Sequence, residues 1–190
     1  HHSRRIPMPR FVALLRGVNV GGNKRVPMAE LRVALEALGY TNVRTLLNSG
    51  NAVFDSTIRV SATHESRIKA AILDAMQIDV PVIVKSAKEY AAIESENSLA
   101  AAATATDPSR LFVAFARDAS ALNGLAPILG LIQAPEQFRI GKEAAYLWCP
   151  EGISQSKAGE ALLGKLGKAV TTRNWATALK ISALLREDAA

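Results

Sequence analysis

Two apolar runs of similar length, at residues 11–15 and 111–116, each begin a series of strand and helix patterns. After the first run, an amphipathic helix pattern ends at Gly39, two short strands surround a turn, and a second helix leads to another strand. This β-α-β-β-α-β order is the split βαβ arrangement of ferredoxin-like domains. After the second run the pattern begins again. We therefore predict an α+β fold built from two duplicated ferredoxin-like subdomains with antiparallel sheets.

The boundaries of these subdomains follow from a stretch of small and polar residues in the middle of the chain. Residues 95–109 have the composition of a connector, which places the first subdomain at 8–94 and the second at 110–190. The seven residues before Met8 resemble a tag and linker, and Met8 is the expected native start.

The second subdomain is predicted in less regular form than the first. Residues 137–140 and 145–149 predict a hairpin, and helices are expected near 156–166 and 173–185. We expect the last strand of this subdomain to be short or replaced by the C-terminal helix.

Composition and charge exclude several kinds of protein. The net charge of +6 falls to +4 without Arg4 and Arg5, a mild excess that favours anionic partners. The single cysteine, Cys149, rules out an intramolecular disulfide and predicts a reducing cytoplasm. His64 is the only histidine outside the first seven residues, which leaves no histidine-based metal site or triad. No apolar run approaches about eighteen residues, so no membrane span is expected, and no metal or cofactor is predicted.

The segment LLRGVNVGGNKRVPMAEL joins the first strand to the first helix through a loop of glycines, asparagines and cations. Such a loop can place backbone N–H groups and positive side chains around an anion. It is not a P-loop, because Asn23 stands at the lysine position and Arg25 at the position of the magnesium-binding Ser or Thr. A dinucleotide-binding G-x-G-x-x-G pattern is also absent from the sequence.

Topology predicts a neighbour for this loop. A right-handed crossover makes the first two strands parallel, so their exits lie at the same end of the sheet. The loop 16–25 and the turn 48–51 should therefore be adjacent, and together we call them the rim. Neither segment contains Asp or Glu. The polar and cationic residues of the rim are Arg16, Asn19, Asn23, Lys24, Arg25, Asn48, Ser49 and Asn51.

The leading hypothesis is that the rim binds a phosphate-bearing ligand, either a nucleotide or a nucleic acid. Arg16 and Lys24 would supply charge, the backbone of Gly21 and Gly22 would donate N–H groups, and the polar side chains would orient the ligand. The predicted ligand-binding residues are Arg16, Asn19, Gly21, Gly22, Asn23, Lys24, Asn48, Ser49, Asn51, Arg173 and Asn174.

Arg173 and Asn174 enter this set through the predicted start of the last helix. They follow Thr171 and Thr172, a pair that could cap that helix. Because a cation in the first helical turn is unfavourable against the helix dipole, we expect a carboxylate or a bound anion to hold Arg173.

Two other classes of function stay open at this point. One is a hydrolase or transferase in which Ser156 and Lys157 act as nucleophile and base, or Arg173 stabilises an oxyanion. The other is a non-enzymatic interaction module whose motif residues serve packing. The loop could also be a tight turn with solvated cations. The sequence does not decide whether the protein catalyses a reaction.

These segments resemble a bacterial family, domain-of-unknown-function family 1697. Its opening LLRG-[IV]-NVGG, lysine-rich segment and MAEL correspond to LLRGVNVGGNKRVPMAEL. Its QSGN turn appears as LNSGN, with Asn48 in place of glutamine, and its P-x-GI-x-x-SK and RNW blocks appear as PEGISQSK and TTRNW. An Asn-Pro-Phe-like segment of the family is replaced here by Asn97-Ser98-Leu99.

The resemblance implies a two-part α+β fold of duplicated ferredoxin-like units, and it brings no assigned activity. It spans nearly the whole chain in four blocks. The motif residues that it singles out are Arg16, Asn19, Gly21, Gly22, Ser49, Gly50, Asn51, Ser156, Lys157, Arg173, Asn174 and Trp175.

Overall fold

The computed structural model describes residues 8–22, 24–101 and 106–187. The chain is α+β, with two four-stranded antiparallel sheets and helices. It divides into two compact units. Unit 1 comprises His1–Ala87 with Leu184–Ala190, and unit 2 comprises Lys88–Ala183. Unit 2 thus includes residues 88–94, which were predicted to belong to the first subdomain.

The elements of unit 1 are β1 (Arg10–Leu15), α1 (Met28–Ala37), β2 (Thr41–Leu46), β3 (Asn51–Asp55), α2 (Ser61–Met76) and β4 (Val82–Ser86). Its sheet has the strand order β2-β3-β1-β4. Because β3 lies between β1 and β2 and is antiparallel to both, β1 and β2 run parallel. Edge strand β4 directly follows Pro81, and prolines in sheets are typical of edge strands.

The core of unit 1 lies between its sheet and its two helices. Phe11 of β1 belongs to the same buried cluster as Leu31 and Leu35 of α1 and Ile68 and Ile72 of α2. The apolar stripe predicted for α1 is therefore confirmed. Burial of each such side chain contributes about 1.5–3 kcal/mol to stability, and this packing fixes the ends of α1 and β1 that flank the rim.

His64 lies in an aromatic cluster of this core and is 0% exposed. Its Nε2 is 2.8 Å from the Ile58 carbonyl oxygen, and its Nδ1 is 2.6 Å from the Tyr40 hydroxyl. A carbonyl oxygen can only accept, so Nε2 carries the proton and Nδ1 accepts from Tyr40. The ring of His64 also contacts Phe11 and Phe54, with centroids 4.5 and 5.2 Å away.

Burial lowers the pKa of His64 below its ordinary value, and Arg67 lowers it further. The folded state therefore binds fewer protons than the unfolded state, and stability is lost as the pH falls below about 6.5. We predict that urea unfolding will show a loss of up to about 1.4 kcal/mol per pH unit between pH 6.5 and 5. His64→Gln should flatten this dependence. If the free energy of unfolding changes with pH equally in the two proteins, His64 does not control the pH dependence of stability.

The remaining elements are α3 (Ala87–Glu96), β5 (Leu111–Ala116), β6 (Gln137–Ile140), β7 (Ala144–Trp148), α4 (Lys157–Leu163), β8 (Val170–Asn174) and α5 (Trp175–Arg186). The sheet of unit 2 has the strand order β6-β7-β5-β8, so its strands follow one another across the sheet in the same pattern as in unit 1. A 3-10 helix, Ala119–Leu131, takes the place of a first α-helix, and Asp118 caps it by accepting from the N–H of Ala121.

Helices pack on both faces of the second sheet. One face packs on the 3-10 helix and α4 through residues such as Ala114, Leu125 and Leu162. On the other face, Tyr90 of α3 stacks on Phe115, with ring centroids 5.5 Å apart. The Tyr90 hydroxyl donates to the carbonyl of Ala178 in α5 at 2.6 Å, which ties the two helices together.

The end of the chain differs from the sequence prediction. Residues 170–174 form strand β8 beside β5, where a helix starting at Arg173 was expected. Val170, Thr171 and Thr172 are β-branched and favour a strand over a helix. The last helix begins at Trp175, and the side chain of Asn174 caps it by accepting from the N–H of Thr177 at 2.8 Å.

Candidate functional site

The loop 16–25 and the turn 48–51 lie side by side. The side-chain Nδ2 of Asn19 donates to the carbonyl of Asn48 at 2.7 Å, and the N–H of Leu15 donates to the carbonyl of Gly50 at 2.9 Å. These two bonds confirm that the segments are neighbours, as the strand topology predicted. The rim is therefore one continuous surface of unit 1.

Asn19 organises the loop from within. Its Oδ1 accepts from the N–H of Val26 at 2.9 Å, and its Nδ2 donates to the carbonyl of Val26 at 2.9 Å as well as to Asn48. Its backbone N–H donates to the carbonyl of Lys24 at 3.1 Å. Both amide hydrogens of Asn19 are thus committed to protein acceptors, so this side chain shapes the rim.

Asn51 performs the same task for the turn. It is 1% exposed, and its Nδ2 donates to the carbonyl of Leu46 at 2.8 Å and to the hydroxyl of Ser49 at 2.9 Å. This side chain closes the turn and faces the protein interior. Two asparagines that the sequence marked as ligand-orienting candidates are therefore engaged in holding the two halves of the rim in shape.

Gly21 and Gly22 form an exposed turn at the outer part of the loop. Their φ angles are +60° and +77°, in the left-handed region that favours glycine, and a Cβ at either position would meet nothing within 4 Å. Within the described part of the loop, no protein acceptor takes either N–H. The backbone here is open to a partner from outside.

A concavity of about 320 Å³ opens between the loop and the turn. We expected Arg16 and Lys24 to face it, but the cation that lines it is Arg25. Arg16 is half-buried and Lys24 is exposed. The lining residues are Asn19, Gly22, Arg25, Val26, Pro27 and Asn48.

Arg25 belongs to the predicted rim but not to the predicted set of ligand-binding residues. One feature of the sequence could have identified Arg25 as a site residue. It directly precedes Val26-Pro27, where the chain turns into α1, and α1 has no side-chain cap at its start. Asn23, another predicted site residue, lies outside the described residues.

Arg173 and Asn174 lie in unit 2, within its sheet and at its last helix. Arg173 is 7% exposed, and its Nη1 donates to the carbonyl of Thr172 at 3.0 Å. Burial lowers the pKa of Arg173 to about 10, an effect that the neighbouring Tyr90 partly opposes. As Asn174 is a helix cap, these two residues have structural roles in unit 2.

Ser156 and Lys157 do not form a nucleophile and base pair. The Ser156 hydroxyl is buried and caps α4 by accepting from the N–H of Gly159 at 3.0 Å, whereas Lys157 is exposed. Ser156 also hydrogen-bonds the thiol of Cys149, whose pKa is raised to about 11 mainly by burial. The geometry gives no support to the hydrolase or transferase alternative at these residues.

The described residues contain no group of three or more His, Cys, Asp or Glu side chains placed to hold a metal ion. No helix in the described part of the chain has the length and apolar character needed to cross a membrane.

Comparison with known proteins agrees with the resemblance found in the sequence. The model of a family described as "Protein of unknown function (DUF1697)" matches residues 8–146. A solved structure of the conserved bacterial protein SP0830 from Streptococcus pneumoniae is similar, with 27% sequence identity and a TM-score of 0.78. The match covers 95% of this chain and 100% of that chain. No curated protein matches the chain.

Proposed function

We propose that this chain, which belongs to the DUF1697 family of proteins of unknown function, binds a phosphate-bearing ligand, a nucleotide or nucleic acid, at the rim. The observation that carries this proposal is the charge distribution around the concavity. Three cations lie on one loop, one of them lining the concavity, and neither rim segment contains an acidic residue. Phosphate is the common biological anion that such a surface attracts.

Each part of the rim has a role in this proposal. Arg16, Lys24 and Arg25 supply positive charge, and the N–H groups of Gly21 and Gly22 are donated to phosphate oxygens. Asn48 and Ser49 contact the ligand from the turn. Asn19 and Asn51 position the two segments, since their amides are hydrogen-bonded within the protein. We leave Arg173 and Asn174 out of the ligand site because of their structural roles.

We also propose that the two units are duplicated ferredoxin-like subdomains, built around 8–94 and 110–190. The shared order of strands supports this, since β1 and β5 hold the corresponding inner position of each sheet. The registers also correspond: Val12 pairs with Lys85, and Val113 pairs with Arg173. A cytoplasmic location agrees with a single cysteine, Cys149, which is buried and unpaired.

Charge removal at the rim tests the binding proposal. We predict that Arg16→Ala/Lys24→Ala/Arg25→Ala weakens binding of fluorescein-labelled U12 RNA and of ATP by at least about tenfold. The physical reason is that each lost phosphate contact removes a charge-assisted interaction. For RNA, each lost contact also lowers the magnitude of the slope of log K against log salt concentration by about 0.7. Fluorescence anisotropy at two salt concentrations measures both effects for the RNA, and calorimetry measures ATP.

The matched control removes three exposed cations elsewhere, as Arg59→Ala/Lys168→Ala/Lys180→Ala. This variant should bind within about threefold of the parent protein and carries the same change in net charge. The free energy of unfolding of the control variant should lie within about 1 kcal/mol of the parent, because exposed charges contribute little to folding. The rim variant also removes the half-buried Arg16, so its urea unfolding is measured to establish that it is folded before binding is compared. Equal loss in the two variants, or no binding by the parent, would refute a site at the rim and favour a packing role for its motifs.

A further inference from the structure

A groove in unit 1 lies beside the rim at the end of β2, and we infer from it that the ligand is a chain of several phosphates recognised without its bases. This inference rests on the proposed function of the rim. The groove has a volume of about 770 Å³ and lies between α1 and the edge strand β2. Its lining includes Arg32 and Glu36 of α1 and Arg44, Thr45 and Leu46 of β2.

The groove and the rim concavity lie close together at the end of β2. Leu46 lines the groove and Asn48 lines the concavity, and their Cα atoms are at most about 7 Å apart because only Leu47 lies between them. A ligand that fills the concavity and extends past this end of the strand can therefore reach the groove.

The two arginines that line the groove form exposed salt bridges. Arg32 pairs with Glu36 at 3.0 Å and Arg44 pairs with Glu187, and all four side chains are 43–59% exposed. Exposed ion pairs of this kind contribute little to stability, so a phosphate can replace the carboxylate at small cost. The Glu187 carboxylate on Arg44 marks a position in the groove that already receives an anion.

The described residues of unit 1 present no exposed aromatic ring. The three aromatic residues of this unit, Phe11, Tyr40 and Phe54, are 1%, 4% and 0% exposed, and Tyr40 is stacked on Phe54 with centroids 4.2 Å apart. The exposed apolar residues of the loop and next to the turn, Val20 and Leu47, are aliphatic. Single-strand binders hold bases by stacking them on exposed aromatic rings. Recognition here therefore acts on the phosphates.

The test compares ligand lengths and base types. Mononucleotides, tetramers and octamers of uridylate and adenylate are titrated against the parent protein, with inorganic polyphosphate of eight phosphates as a competitor. We expect the octamer to bind at least about tenfold more tightly than the mononucleotide, and U8 and A8 to agree within about threefold. Competition by polyphosphate would show that phosphates alone are sufficient for recognition. If both octamers bind and polyphosphate does not compete with them, the ligand is a sugar–phosphate chain.

Variants of the groove separate this inference from the proposal for the rim. Arg44→Ala and Arg32→Ala should each weaken octamer binding about three- to tenfold and leave mononucleotide binding within about twofold, whereas Arg59→Ala should change neither. Glu187→Gln should tighten octamer binding. If the rim triple variant loses mononucleotide binding but affinity does not rise with length, or U8 and A8 differ more than tenfold, the inference fails and the rim stands. If that triple variant binds every probe normally, the rim proposal itself fails.

Discussion

Replacing Arg10 with alanine is expected to lower the free energy of unfolding by about 3–5 kcal/mol, since it removes one partner of a buried ion pair. Nε of Arg10 donates to Oδ1 of Asp55 at 2.8 Å, and the two side chains are 10% and 6% exposed. Nη1 also donates to the carbonyl of Leu184 at 3.2 Å, which caps the end of α5. Without Arg10, the Asp55 carboxylate would stay buried without its cation. Urea denaturation of the full chain measures the effect.

Arg32→Ala is the matched control for this prediction. It also removes an arginine from a salt bridge in unit 1, but Arg32 and Glu36 are exposed, so the expected loss is below about 1 kcal/mol. The double variant Arg10→Met/Asp55→Leu should recover much of the stability lost in Arg10→Ala, because no uncompensated charge remains. A loss in Arg10→Ala no larger than that in Arg32→Ala would contradict a structural role for the buried pair.

Gly50→Ala is expected to destabilise the protein by about 2–5 kcal/mol and to weaken ligand binding at the rim. A Cβ at this position would lie 2.8 Å from Cβ of Leu15 and 2.9 Å from Cγ2 of Val18, and the φ angle is +88°. The left-handed backbone costs a non-glycine residue about 1–2 kcal/mol, and the crowded contact adds about 1–3 kcal/mol. Because Gly50 joins the turn to β1, relief of the clash would move the turn away from the loop.

Gly22→Ala separates these two costs. Its φ angle of +77° is similar, but nothing lies within 4 Å of an added Cβ, so only the backbone cost of about 1–2 kcal/mol is expected. Thermal and urea unfolding of both variants would show the difference. Equal losses at the two positions would mean that the close approach of the turn to β1 has no energetic importance.

The sequence was most informative where apolar residues alternate or repeat at regular spacing. The strands of unit 1 and the buried stripe of α1 follow directly from such patterns. The last helix was predicted to begin two residues too early, at Arg173, because TTRNW has the composition of a helix start, with two threonines before a polar pair. Arg173 is charged and yet faces the interior, so polarity alone gave the wrong environment for it.

The position of the rim could be predicted, but the roles of its side chains could not. Topology alone brings the loop beside the turn. Whether an amide is free depends on distances set by the tertiary fold, such as the bond from Asn19 to Asn48, which are 29 residues apart in the chain. The groove beside β2 was not predicted either, because its walls come from segments whose spacing is fixed only when α1 packs on the sheet.

The most direct test of the rim is an NMR titration of the 15N-labelled protein with inorganic pyrophosphate. We predict saturable shifts of the backbone amide signals of Gly21, Gly22, Arg25 and Asn48, and no comparable shifts for Arg59 or the strand Val170–Asn174 of unit 2. The shifts should disappear in the rim triple variant, which lacks the three cations. Saturable shifts confined to residues outside the rim, or none at millimolar pyrophosphate, would contradict a phosphate site formed by this loop and turn.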